Sequence, residues 1–269
     1  MDAHMTALVE GIAAAQQFDV ARRPSFWEDL AKAQRPGVAV ICCSDSRAAP
    51  EHVTRADPGT LFVQRSIAGL VPQPPGKVEA AWLKLYRNAT RRMGVRDLAG
   101  AWYGPWAAIE FPVLQLEVPN ILVLGHSGCG GVALALQKRG TRPNLPDTDA
   151  WVDMVRPIVQ AAARVAGPDE AVQRYAAERV AVLWSARNLL LHERIAARVK
   201  EGKTRIYAGH YDIASGKVEL WDPQAWRFRD AREHPPGICD DLLRPCKPDC
   251  RCTDRLPNLP RAIARTDWQ

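Results

Sequence analysis

From Val38 to Cys43 the chain runs Val-Ala-Val-Ile-Cys-Cys, with no charged or hydrogen-bonding polar side chain, directly after the turn residues Pro36-Gly37. A strand with one wet face alternates apolar and polar side chains. A run that does not alternate has both faces covered, which is the condition of strands in a parallel sheet. Leu61–Arg65 follows the turn Asp57-Pro58-Gly59, and Ile121–Gly125 is a third such run. Arg205–Tyr211 and Val218–Trp221, joined through Ser215-Gly216, read as a fourth and fifth strand. Helical spacing fills the intervals at 5–34 (broken at Arg22-Arg23-Pro24), 107–118, 129–138, 151–165 and 169–200. Strands alternating with helices predict an α/β fold with a parallel-dominated central sheet flanked by helices.

Two stretches exceed a minimal unit. Residues 72–106 form a long connection opening on Pro72-Gln-Pro-Pro-Gly76, with an amphipathic helix expected over Lys77–Met93. Beyond Asp222 the chain is rich in Pro, Arg and Asp and reads as irregular. The expected division is an α/β domain over 1–222, with 72–106 inserted, and a Cys/Pro-rich extension over 223–269.

Composition removes several function classes. With 47% hydrophobic and 25% charged residues the chain is globular. The net charge is +6, but Lys and Arg are mixed with Asp and Glu, so no nucleic-acid footprint is visible. No apolar run approaches the ~20 residues of a membrane span, and no leader pattern opens the chain, so the expected setting is cytoplasmic. Seven cysteines, an odd number, favour metal binding or catalysis over a disulfide framework.

Cys43 stands at the carboxyl end of the first buried strand and opens Cys43-Ser44-Asp45-Ser46-Arg47. His126 stands just past the end of another, in His126-Ser127-Gly128-Cys129. Ligands of open α/β sheets gather beyond the carboxyl ends of strands, so the two motifs should share one crevice. Two thiolates and an imidazole are a zinc set, and three protein ligands leave a fourth position for water. Asp45 has two readings. It is the fourth ligand of a closed site, or it pairs with the planar fork of Arg47 and accepts a hydrogen bond from the attacking oxygen. Cys42 points to the opposite face and reads as packing, and Ser44 or Ser46 is expected to cap the helix beginning near Pro50.

Cys43-Ser-Asp-Ser-Arg47 together with His126-Ser-Gly-Cys129 resembles the β-class carbonic anhydrases. The likeness extends to Asp57–Arg65, Ala107–Phe111, Asn120–His126, Asn188-Leu-Leu, Gly209–Ile213 and Gly216–Val218. It covers roughly residues 5–222 apart from 72–106. The resemblance implies zinc (Zn2+) as cofactor and reversible hydration of carbon dioxide to bicarbonate and a proton by zinc hydroxide. It implies a homodimer or higher homo-oligomer with sites near the subunit contact, and Asp57, Phe62 and Gly130 as substrate-binding candidates. The proton route is not identified; His52 and His210 are read as ordinary surface or structural histidines.

Two departures bear on substrate. Ser66 follows Arg65 where the family usually carries Asn, and Asp57 stands where plant-like members have Gln. Zinc hydroxide also attacks carbon disulfide and carbonyl sulfide, so a hydrolase of a CO2-like molecule is the alternative, with a catalytically silent zinc protein behind it. Cys239, Cys246, Cys250 and Cys252 are candidates for a second metal site, although their Cys-x6-Cys-x3-Cys-x-Cys spacing fits zinc ribbons only in part.

Overall fold

The computed structural model describes residues 2–74, 103–141 and 144–233. Six strands form one sheet: β1 (Val38–Cys43), β2 (Leu61–Ser66), β3 (Asn120–His126), β4 (Arg205–Tyr211), β5 (Val218–Asp222) and β6 (Arg227–Asp230). Their spatial order is β2-β1-β3-β4-β5-β6. β1 lies parallel to both β2 and β3, and β3 parallel to β4, while β5 and β6 add antiparallel. The helices are α1 (Ala3–Ala14), α2 (Pro24–Lys32), α3 (Pro50–Thr54), α4 (Tyr103–Glu110), α5 (Gly130–Leu136), α6 (Pro146–Val152), α7 (Arg156–Ala166), α8 (Glu170–Leu190) and α9 (Glu193–Lys200). The α/β architecture with a mostly parallel central sheet is as expected.

Burial follows strand position. β1 in the sheet interior is buried from Ala39 to Cys43, whereas edge strand β2 is mostly half-buried. On one face Ala39, Ile41, Ile121, Val123, Ile206 and Ala208 meet α4, α8 and α9. From Ala176 to Leu190 every residue of α8 is buried. Its Leu183, Ala186 and Leu189 pack on the sheet, and its Ala177, Ala181 and Trp184 on α5 and α7. Each fully buried large apolar side chain contributes about 1.5–3 kcal/mol, an upper figure because the unfolded chain is itself partly collapsed. On the opposite face, the cluster around Val40, Cys42 and Leu124 consists, among the described residues, of strand side chains alone. Helix α1 buries nothing, and Met5, Leu8, Val9 and Ile12 are exposed along it.

Several boundaries differ from expectation, each for a local reason. The stretch after Asp222 is not wholly irregular: Arg227–Asp230 pairs with β5. Its single apolar residue, Phe228, packs edge-on to the buried Trp221 ring at 5.4 Å, too short a signal to read as a strand. The helix expected over 151–165 is two, because Pro157 at the start of α7 cannot donate to the preceding turn. The helix over 169–200 breaks at His192, which is extended and opens α9. Neither Ser44 nor Ser46 caps α3: Ala49 is its N-cap, without a side-chain bond, and Pro50 is pre-set for the first turn. The helix expected over Lys77–Met93 and the four tail cysteines lie outside the described residues.

Candidate metal centre

β1 and β3 are neighbours whose register sets Cys42 beside Leu124, so their carboxyl ends emerge together. Cys43 is the last residue of β1 and His126 the last of β3. The chain then turns through Ser127 and Gly128, the latter at φ 67°, a left-handed conformation that suits glycine. Cys129 is the N-cap of α5. The sulfurs of Cys43 and Cys129 lie 4.0 Å apart. With a ring nitrogen of His126 they form a buried trio of donor atoms, all within 4.8 Å of one another. It is the only such group among the described residues.

The donor set fits zinc. Ligands at Zn–S ~2.3 Å and Zn–N ~2.0 Å in a tetrahedron sit roughly 3.5–4 Å apart, near the spacing seen. The Nδ1 of His126 lies 3.0 Å from the Ser127 carbonyl, which accepts its proton and leaves the lone pair on Nε2. That Nε2 is buried and has no hydrogen-bond partner. A buried acceptor beside two sulfurs is costly unless a cation occupies the space.

The electrostatics agree. The Cys129 thiol bonds to the Cys43 sulfur, and with His126 and the Asp45 amide it holds the Cys43 thiol well below its ordinary value, against the opposing effect of burial. Cys129 is driven the other way, by that same bond and by burial, so the second proton leaves only if a positive charge replaces it. Burial, the largest single effect, opposes protonation of His126, but the neighbouring Cys43 sulfur, the Ser127 carbonyl and the Asp45 carboxylate together outweigh it and raise its pKa. Cys42, on the opposite face, is pushed up to about 12 by burial, the behaviour of an inert packing residue.

Asp45 is turned to Arg47. The guanidinium donates from Nε to Oδ1 at 2.9 Å and from Nη2 to Oδ2 at 2.7 Å, and the Arg47 amide also reaches Oδ1 at 2.9 Å. These bonds hold the Asp45 carboxyl well below the usual carboxylate range. Its Oδ2 still lies 3.9 Å from His126 Nε2. Arg47 Nη2 reaches across to the Gly128 carbonyl at 3.2 Å. Arg65 pins the same loop, donating to the Cys43 carbonyl at 2.9 Å and the Asp45 carbonyl at 2.7 Å.

Of the substrate candidates, Gly130 sits beside the trio, and a Cβ there would meet nothing within 4 Å. The chain does not bring Asp57 or Phe62 to its own trio. Asp57 lies before the amino end of β2, paired with Arg23 at 3.1 Å. Phe62 aligns with Ala39, four residues short of the Cys43–Ser66 level, and its ring leans on Phe111 at 6.0 Å. His52 is exposed on α3 and His210 is buried in the sheet. Sequence reasoning missed Arg65, which looks like one more strand-end arginine. It also missed the buried Glu178, whose only signal is a charge in the apolar middle of α8.

Residues 38–218 match the family described as carbonic anhydrase. Beta carbonic anhydrase 3 of Arabidopsis thaliana is 30% identical over 207 residues, covering 75% of this chain and 70% of that protein. The solved structure of the β-carbonic anhydrase CcaA superposes with a TM-score of 0.70 at 25% identity, covering 85% of this chain and 92% of that one. A β-carbonic anhydrase of the filamentous ascomycete Sordaria macrospora, described as tetrameric, shares the fold at TM-score 0.66 and 23% identity, over 81% of this chain and 97% of its own. The matched span contains both strand ends on which the trio is built, and the chain belongs to the β-class carbonic anhydrases.

Proposed function

We propose that this enzyme reversibly hydrates carbon dioxide to bicarbonate and a proton, with Cys43, His126 and Cys129 holding zinc. The carrying observation is the placement of the ionised Asp45, clamped by Arg47, beside three soft donors at adjacent strand ends. Zinc, when bound, lowers the pKa of a coordinated water to ~7 and so supplies a nucleophile at neutral pH. The protein does the rest. Arg47 keeps Asp45 off the metal. The free lone pairs of Asp45 accept a hydrogen bond from the nucleophile and aim it at carbon. Ala68, Leu70 and Val132 share the cluster of Cys43 and Cys129 and offer an apolar lining suited to an uncharged linear molecule. Gly130, lacking a side chain, leaves the approach open.

Stopped-flow CO2 hydration decides the matter. Activity should vanish when a strong chelator strips the protein and return with added zinc, and Cys43→Ala or His126→Ala should lose metal and turnover together. Full turnover by the stripped protein would refute the assignment. Carbonyl sulfide and carbon disulfide assayed alongside test the substrate choice.

The same reading makes the protein a homo-oligomer. None of the apolar side chains of α1 is buried, and among the described residues the cluster around Val40 and Cys42 consists of strand side chains alone. Asp57, remote from its own trio, is then read as substrate-facing across the subunit contact. The three cysteines described are free thiols, consistent with a reducing cytoplasmic setting. Among the described residues, no helix is long and apolar enough to cross a membrane.

A further inference from the structure

Glu178 is a charged residue in the wholly buried part of α8, and it is 7% exposed. A carboxylate there is expensive unless its lone pairs are occupied. They are. Oε1 accepts the Gly128 amide at 2.8 Å and the Cys129 amide, longer, at 3.4 Å. Oε2 lies 3.1 Å from Nε2 of His210, itself 2% exposed on β4. The two amides belong to the turn between the metal-ligand candidates His126 and Cys129.

Gly128 is therefore held from both sides. Its N–H is taken by Glu178, and its carbonyl accepts Nη2 of Arg47, the same nitrogen that holds Asp45 Oδ2. No backbone conformation of its own locks this peptide: Gly128 is at φ 67°, exposed, and free of neighbours at its Cβ position. One chain of bonds thus runs from His210 through Glu178 and the Gly128 peptide to Arg47 and Asp45.

We propose that Glu178 is a positioning residue for the metal centre. It sets the turn that presents the Cys129 sulfur and, through the Gly128 carbonyl, the outer anchor of the guanidinium that keeps Asp45 away from the ion. His210 holds the carboxylate in the rotamer that can do this. The proposal rests on the metal reading above, but not on the reaction. Its purpose distinguishes it from a plain buried pair. Losing it should loosen one metal ligand and free Asp45 to approach the ion, and not merely lower the melting temperature.

The test uses the full chain loaded with cobalt(II), whose thiolate charge-transfer and d–d bands report ligand number and type. Metal affinity is read in parallel by chelator competition. Glu178→Ala should weaken retention about tenfold or more, the usual range when a supporting group behind a ligand is lost. It should also change the cobalt bands. Glu178→Gln should restore both to within a few-fold. Its oxygen still accepts the two amides, and His210, whose Nδ1 has no partner, can move its proton there and accept from the new amide.

Asp149→Asn serves as the control. It damages a different buried ion pair, to Arg156, which holds the Leu134 and Ala135 carbonyls at the opposite end of α5 from Cys129. It should cost stability and leave the spectrum alone. If Glu178→Ala does not fold, Glu178→Asp, one methylene too short for both contacts, is read in its place. An alanine or aspartate variant with native affinity and native bands would overturn the proposal, as would a glutamine variant no better than alanine. A wild type that holds cobalt yet hydrates no CO2 would sink the proposed reaction and leave this inference standing.

Discussion

Asp45 is the residue on which the difference between a ligand and a helper turns. Its bonds to Arg47 depress its folded pKa, so it is ionised throughout the neutral range. A rise of activity near neutral pH therefore does not report the loss of a proton from Asp45. Arg47→Ala should keep the metal but cut turnover roughly ten- to a hundredfold; unchanged stopped-flow rates would remove Arg47 from the machinery. The variant also has a stability signature. A depressed carboxyl contributes stability above its unfolded pKa of ~3.9 and loses it as pH falls through the folded value. Without Arg47 the folded pKa rises towards the unfolded one, so that contribution shrinks and acid unfolding begins at a higher pH. Cys43, His126 and Cys129 were legible because each lies at or just past the end of a run whose burial is written in its lack of alternation. Glu178 was not, since nothing in the spacing of 128 and 178 shows that one meets the other; only the packing of α8 on the sheet does.

At the scale of elements, the long apolar runs were readable and the short or interrupted ones were not. β1 carries buried apolar side chains from Ala39 to Cys43, β3 carries Ile121, Val123 and Leu124, and β4 carries Ile206 and Ala208. β6 carries a single apolar residue, the half-buried Phe228, which packs on Trp221 seven residues earlier. Helix breaks were missed where one residue decides them, as at Pro157 and His192. The short turn after β2 shows how closely such elements fit. Gly69 is at φ 61°, and a Cβ there would come within 2.8 Å of the Cys42 backbone carbon. That backbone belongs to the strand bearing Cys43 and has no room to retreat. Gly69→Ala should therefore cost roughly 1–3 kcal/mol, a fall of several degrees in melting temperature for a chain of this size. A thermal melt indistinguishable from wild type would show that the turn can rearrange.

For the whole molecule, the exposed row of Met5, Leu8, Val9 and Ile12 is a prediction in itself. A lone helix of about a dozen residues is marginal in water without packing. Removal of residues 2–21 should lower the mass seen by sedimentation while the far-ultraviolet spectrum of the core persists. An assembly of unchanged mass would assign the contact to other surfaces. This feature was present in the sequence as helical apolar spacing, but spacing does not say whose core a helix joins.

The two sulfurs of the trio are separated by 86 positions along the chain and meet only because two parallel strands have paired. An unfolded chain therefore keeps only the local pair His126 and Cys129, and much of the affinity for the ion should be expressed as resistance to denaturation. Melting temperature should climb with the logarithm of free zinc, and a newly made polypeptide must finish its sheet before it can be loaded.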